Sequence, residues 1–230
     1  MSRYFLFAAI FLATVTNANA NIFFQSATGP FDSWGCCGGS DISSTQFIGA
    51  SFSINQTTEV EAIGGHFNNI NGSPSFGLGG TIFGAIVNLG GNGLPTGNLT
   101  QLDGVLAYSV FTPNSGIDSQ VSINATLLPG AYGLIFGSGL FGANGRIALT
   151  LVQPNQAVTS DGEIISINNS SFPNWGYMND EPNRYRMFLS GSVVSAVPEP
   201  ETYLILTVGL VMVGLFQRRR SCNSRNLSIA

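Results

Sequence analysis

The chain has 230 residues, 29 of them glycine, and only 9% of its side chains are charged; its 8 basic groups are all arginines, against 12 acidic ones, for a net charge of −4. Between residues 21 and 197 ten acidic residues face only Arg146, Arg184 and Arg186, so no basic stripe exists to neutralise phosphates and nucleic acid is excluded as a partner. One histidine and three cysteines leave little material for a metal centre or a nucleophile and base pair.

At the amino end, Arg3 precedes an apolar run from Tyr4 to Val15, and Ala18-Asn19-Ala20 has the small-x-small form of a cleavage site. Residues 1–20 read as a secretory signal peptide with a mature start at Asn21, and the implied partner is a secretion translocon. Cys36 and Cys37 then stand adjacent, flanked by Gly35 and Gly38-Gly39, with Trp34 beside them. In an oxidising compartment they form a vicinal disulfide, pair between chains or stay thiols. Asp32 and Asp41 offer hard oxygen ligands, but no D-x-[DN]-x-[DN]-G loop, H-E-x-x-H or C-x-x-C spacing is present, so neither a metal nor a cofactor is expected.

Residues 21–196 are enough for one exported domain with a real core. Its periodicity is that of strands: Ile48, Ala50, Phe52 and Ile54 alternate with small or polar residues, as do Val121, Ile123, Ala125 and Leu127. Further strands are expected at Glu59 to Phe67, Thr81 to Leu89, Gly104 to Phe111, Ala131 to Phe136, Arg146 to Val152 and Tyr185 to Val194. Turn formers separate them, among them Asn71-Gly72-Ser73-Pro74, Gly90 to Gly93, Pro113 to Gly116 and Asp161-Gly162. The expected fold is all-β, an antiparallel β-sandwich or jelly roll. Leu128-Pro129-Gly130-Ala131-Tyr132 is similar to a tyrosine corner, the alternative being a hairpin turn whose Tyr132 only packs into the core.

Catalytic patterns are sparse. His66 lies on an expected strand, where a lone histidine is more often packing or surface than catalytic. Gly137-Ser138-Gly139-Leu140-Phe141-Gly142 fits G-x-G-x-x-G, but a strand rather than a helix is expected after it, so it reads as chance. Asp161 with Glu163, and Asp180 with Glu181, are the carboxylates that a two-carboxylate glycoside hydrolase would need; solvated turn residues are the commoner reading. Trp34, Trp175 and Tyr177 are expected in loops, where they are candidate sugar-stacking aromatics, although tryptophan more often anchors a core.

At the carboxyl end Pro198-Glu199-Pro200 is extended and donor-poor, and the fourteen uncharged residues from Tyr203 to Phe216 precede Gln217 and Arg218-Arg219-Arg220. This reads as one short transmembrane helix with a positive stop signal on the cytoplasmic side and a tail over residues 221–230. The ordered combination over residues 197–220 resembles the carboxy-terminal sorting signal of PEP-CTERM proteins. That resemblance implies an exosortase-like processing enzyme as partner, export to the cell surface, and association with exopolysaccharide or biofilm. The functional expectation is therefore a non-enzymatic surface or matrix protein, membrane-anchored through its helix before processing. A carbohydrate-binding module and a secreted glycoside hydrolase are the alternatives.

Overall fold

The computed structural model describes residues 21–28, 39–68, 79–150, 162–167, 175–177, 185–194, 205–214 and 216. The expectations resting on Ala18 and Ala20, Asp32, Trp34, Cys36 and Cys37, Asn71 to Pro74, Asp161, Asp180 and Glu181, Pro198 to Pro200 and Arg218 to Arg220 lie outside the described residues. The chain divides into two compact units, Met1–Val194 and Ser195–Ala230.

The first unit is built of antiparallel strands: β1 (Asn21–Gln25), β2 (Gly39–Ile42), β3 (Gln46–Ile54), β4 (Thr58–Asn68), β5 (Ile82–Asn88), β6 (Gly97–Asn98) and β7 (Gln101–Leu102). They continue as β8 (Val105–Phe111), β9 (Ile117–Leu127), β10 (Gly130–Gly137), β11 (Ile147–Thr150), β12 (Gly162–Ile167), β13 (Trp175–Tyr177) and β14 (Met187–Val193). One six-stranded sheet runs β1-β14-β4-β11-β2, with β9 paired to β4; the other runs β13-β12-β3-β10-β5-β8. β6 and β7 form a small hairpin, in which the Asn98 side chain accepts from the backbone N–H groups of Thr100 and Gln101 at 2.8 and 3.1 Å. All eight segments read from periodicity are strands, Arg146 to Val152 as far as Thr150.

The main core draws on both large sheets: Val60, Ile63, Phe67, Ile123, Leu127 and Leu189 from one, with Ile48, Phe52, Ile86, Leu134 and Phe136 from the other. Two antiparallel sheets sharing one core fit a β-sandwich. Phe67, Phe111 and Phe136 meet edge to face, with centroids 5.3 to 6.3 Å apart. Burying each phenylalanine contributes about 1.5 to 3 kcal/mol.

Two features depart from simple alternation. β3 is buried on both faces from Phe47 to Phe52, because a second cluster covers the far side of its sheet: Phe47, Phe83, Ala85, Val87 and Ile135 lie under Leu102, Ala143 and Trp175. In β4, Val60 and Ile63 are both core residues although three positions apart. A bulge between Val60 and Ala62 breaks the ladder to β9, and a matching shift between Ser190 and Gly191 breaks the ladder to β14. Against β14 Glu61 is the extra residue, and against β9 it stands opposite two residues, Ile123 and Asn124; beyond it Ile63 and Phe67 face the core while Ala62, Gly64 and His66 face outward.

β9 keeps the expected alternation, with Ile123, Ala125 and Leu127 buried and Ser122, Asn124 and Thr126 exposed. In the second unit residues 205–214 and 216 are helical, and their apolar side chains are exposed within that unit. Among the described residues no helix is long and apolar enough to cross a membrane. The helical stretch described is shorter than the roughly 20 residues that a straight span needs.

Candidate functional site

Ionisable groups converge on the outer face of the β4 sheet. β4 and β9 pair His66 with Asp118 directly across the ladder, and the His66 backbone N–H donates to the Arg186 carbonyl at 3.0 Å. His66 therefore sits between two cross-strand neighbours, Asp118 and Arg186, and the Asp118 carboxylate reaches both side chains. Its Oδ1 accepts from His66 Nδ1 at 2.8 Å, and its Oδ2 accepts from Arg186 Nε at 2.8 Å. An ionised carboxylate only accepts, so the contact places a proton on Nδ1 of the imidazole. One terminal nitrogen of Arg186 also donates to Gln25 Oε1 at 2.8 Å and to the Ala27 carbonyl at 3.0 Å.

The guanidinium stem has a second support. Its central carbon stands 5.1 Å from the centroid of the Phe188 ring, and that ring lies against Gly64, where there is no side chain to displace it. One arginine thus links β1, β9 and β14, and the aromatic face beneath it holds the guanidinium in plane. A shallow groove of about 490 Å³ opens beside the cluster, lined by Gln25, Thr28, His66, Ile117, Asp118 and Arg186. Ser119, next to Asp118 in the chain, faces the other way: its hydroxyl accepts from the Asn114 backbone N–H at 2.8 Å and closes the turn at Gly116. The arrangement orders three strand termini with charge-assisted hydrogen bonds.

Asp41 is committed elsewhere. Its carboxylate accepts from Arg146 Nε at 2.6 Å, joining β2 to the start of β11. Among the described residues no group of three His, Cys, Asp or Glu side chains could hold a metal ion. Gly162–Ile167 is an interior strand between β13 and β3, with Glu163 in register with Ala50. The G-x-G-x-x-G stretch leads from the end of β10 into a turn, with Gly139 and Gly142 at φ 84° and Phe141 at φ 56°, and then to β11.

The expected loop position of two aromatic candidates is corrected by the fold. Trp175 and Tyr177 lie on β13 rather than in a loop, two positions apart and so on the same face of the strand. Trp175 is buried, tilted against Phe47 at 6.2 Å, because it caps the second apolar cluster; it is not an exposed stacking face. Tyr177 is exposed, and its hydroxyl donates to the Asn92 carbonyl at 3.3 Å across the Gly90–Gly93 turn. The tyrosine corner is present, with the Tyr132 hydroxyl donating to the Leu128 carbonyl at 2.7 Å.

An aromatic pair that periodicity did not single out lies at the opposite margin of the second sheet. Tyr108, half exposed on β8, stacks on Phe141 with centroids 4.2 Å apart and planes 18° from parallel. The sequence signal was the glycine-flanked Phe141 itself. A bulky residue between two left-handed glycines marks a turn that holds a ring in place.

No family model matches the chain, and no curated protein is detectably similar to it.

Proposed function

We propose that the chain is an exported, non-enzymatic cell-surface or extracellular-matrix protein, sorted by a PEP-CTERM-type signal and processed by an exosortase-like enzyme. The observation that carries this reading is the ordered carboxyl end: Pro198-Glu199-Pro200, the apolar stretch from Tyr203, and Arg218-Arg219-Arg220. The boundary between the two units at Val194 supports it, since the motif falls in the segment that follows the β-strand unit. The helix over 205–214 and 216 supports a membrane anchor, because in the sequence it belongs to the uncharged stretch from Tyr203 to Phe216 that precedes the arginine cluster.

For the exported part, the reading is a β-sandwich whose work is association with matrix polysaccharide or with other surface molecules. A structural role for the single histidine is supported by the carboxylate it shares with Arg186, which ties neighbouring strands together.

Intact mass and cell fractionation of the native protein in its own host, wild type beside Glu199→Ala, test the reading. A mature species beginning at Asn21 and lacking Arg218 to Arg220, with uncut protein accumulating in the variant, is the expected result. Retention of the tail on the wild type would leave a plain membrane-anchored ectodomain and remove the exopolysaccharide link.

A further inference from the structure

The groove beside Asp118 is lined by polar groups that bind one another, as His66, Asp118, Arg186 and Gln25 do. A second groove, of about 610 Å³, runs between β8 and β9, and Leu102, Leu106, Tyr108, Ser122, Asn124 and Phe141 are among the residues that line it. Its polar side chains are uncommitted. Tyr132, Tyr177 and Tyr185 each set their hydroxyl on a protein oxygen, whereas among the described residues the side-chain polar groups of Tyr108, Ser122 and Asn124 bind no protein group. Ser122 and Asn124 are exposed at alternate positions of β9 and so share one face.

The aromatic wall of this groove is fixed in advance. Phe141, held at φ 56°, sets its ring edge-on to Phe83 at 5.1 Å and stacks on Tyr108 at 4.2 Å. A left-handed backbone at a bulky residue persists only where its surroundings hold it, and here the two ring contacts do so. The stack covers one face of the Tyr108 ring, yet Tyr108 is 51% exposed, so the opposite face and the hydroxyl are open to a ligand.

We propose that this groove binds a neutral polysaccharide, with the C–H face of one sugar ring against Tyr108 and its hydroxyls on Asn124 and Ser122. The proposal rests on the reading of the exported part as polysaccharide-associating and names its contact surface. A sugar ring takes an apolar plate for its C–H face and nearby hydroxyl or amide groups for its own hydroxyls, and the Asn124 amide both donates and accepts. Charge selects a neutral chain: no charged side chain lines the groove and the protein carries a net charge of −4, so nothing there offsets the repulsion of an anionic polymer. A peptide strand is served less well. Against β5, Leu106 is an extra residue between Val105 and Ala107, so β8 lacks the regular spacing of ladder groups with which an added strand pairs.

The test is affinity electrophoresis of the full chain, in mild detergent, through gels containing the neutral exopolysaccharide fraction of its own host or galactomannan, with alginate as the anionic comparison. Wild type is expected to be retarded by neutral polymer and not by alginate. Tyr108→Ala should weaken binding about tenfold, and Tyr108→Phe, which keeps the plate and loses one hydroxyl, about threefold. Ser122→Ala with Asn124→Ala changes only exposed side chains and should also weaken binding about tenfold, so the site is tested even if a thermal melt shows that Tyr108→Ala loosens the sheet. Tyr177→Ala, at an exposed aromatic outside the groove, should bind as wild type does. Retardation lost after periodate oxidation of the polymer supports a sugar as occupant; retardation that survives periodate and is lost after proteinase treatment of the fraction gives the groove to a polypeptide and overturns the proposal. Equal retardation by alginate overturns it as well. Wild type that passes every neutral polymer freely overturns both this site and the polysaccharide reading, whereas equal retardation of wild type and the groove variants overturns the site alone. Processing of the carboxyl end is read by mass and stands or falls apart from the gels.

Discussion

The Tyr132 hydroxyl donates to the Leu128 carbonyl four residues earlier, so the side chain that begins β10 ties down the turn that ends β9. The ring stands in the core against Phe52, with centroids 5.8 Å apart, while its oxygen reaches back to the surface backbone. Tyr132→Phe keeps the packing and removes only the hydrogen bond. We expect a loss of about 1 kcal/mol, read as a lower urea midpoint with unchanged slope. Tyr132→Ala also leaves a cavity and should cost about 3 to 5 kcal/mol.

Asp118 bridges His66 and Arg186, so its effect on stability should not be the sum of two separate pairs. Because the carboxylate is 39% exposed while the arginine is 12% exposed, solvent screens part of the interaction. Asp118→Asn is expected to destabilise by about 1 to 2 kcal/mol, with Gln25 and the Ala27 carbonyl still holding the guanidinium. A double-mutant cycle of Asp118→Asn with His66→Ala should return a coupling energy of about 0.5 to 1 kcal/mol; additivity would show that the contact contributes nothing.

Gly64 tests the stack beneath Arg186. A methyl group there would stand 2.5 Å from the Ser119 carbonyl oxygen and would collide with the Phe188 ring. The carbonyl belongs to the paired strand and has no flexible tip to yield, so Gly64→Ala should cost about 1 to 3 kcal/mol. Gly176→Ala, where a methyl group meets nothing within 4 Å, is the control and should stay within about 0.5 kcal/mol of wild type. Equal thermal shifts for the two would contradict the packing described.

Trp175 distinguishes a core anchor from a sugar platform. Trp175→Ala is expected to lower stability by about 3 to 5 kcal/mol through the cavity it opens over Phe47. Trp175→Phe should cost far less, because the indole Nε1 is buried without a hydrogen-bond partner and its removal leaves no partner group stranded. Thermal melts of the two variants make the comparison; a Trp175→Ala protein with an unchanged melting temperature and a lost glycan affinity would reverse it.

Strand content was legible in the sequence because it is local, and the proposed destination rests on segments that are local too. A signal-like leader, a proline-flanked glutamate and an arginine cluster are contiguous, and a two-residue period appears wherever a strand has one wet face, as in Val121 to Leu127. Strands without that contrast were missed: Gly162–Ile167 and Trp175–Tyr177 belong to the sheet whose far side is also covered by apolar residues, so inside and outside carry the same chemistry. Three further features depended on distant partners. The bulge after Val60 is visible only once β9 and β14 pair with β4, because only the ladders reveal the extra residue. Asp118 meets His66 across 52 positions and Arg186 across 68, and β8 lies at the margin of its sheet among the described strands through its pairing with β5. Period reports which face of a strand is dry; which strand lies beside it is decided by packing between residues far apart in the chain.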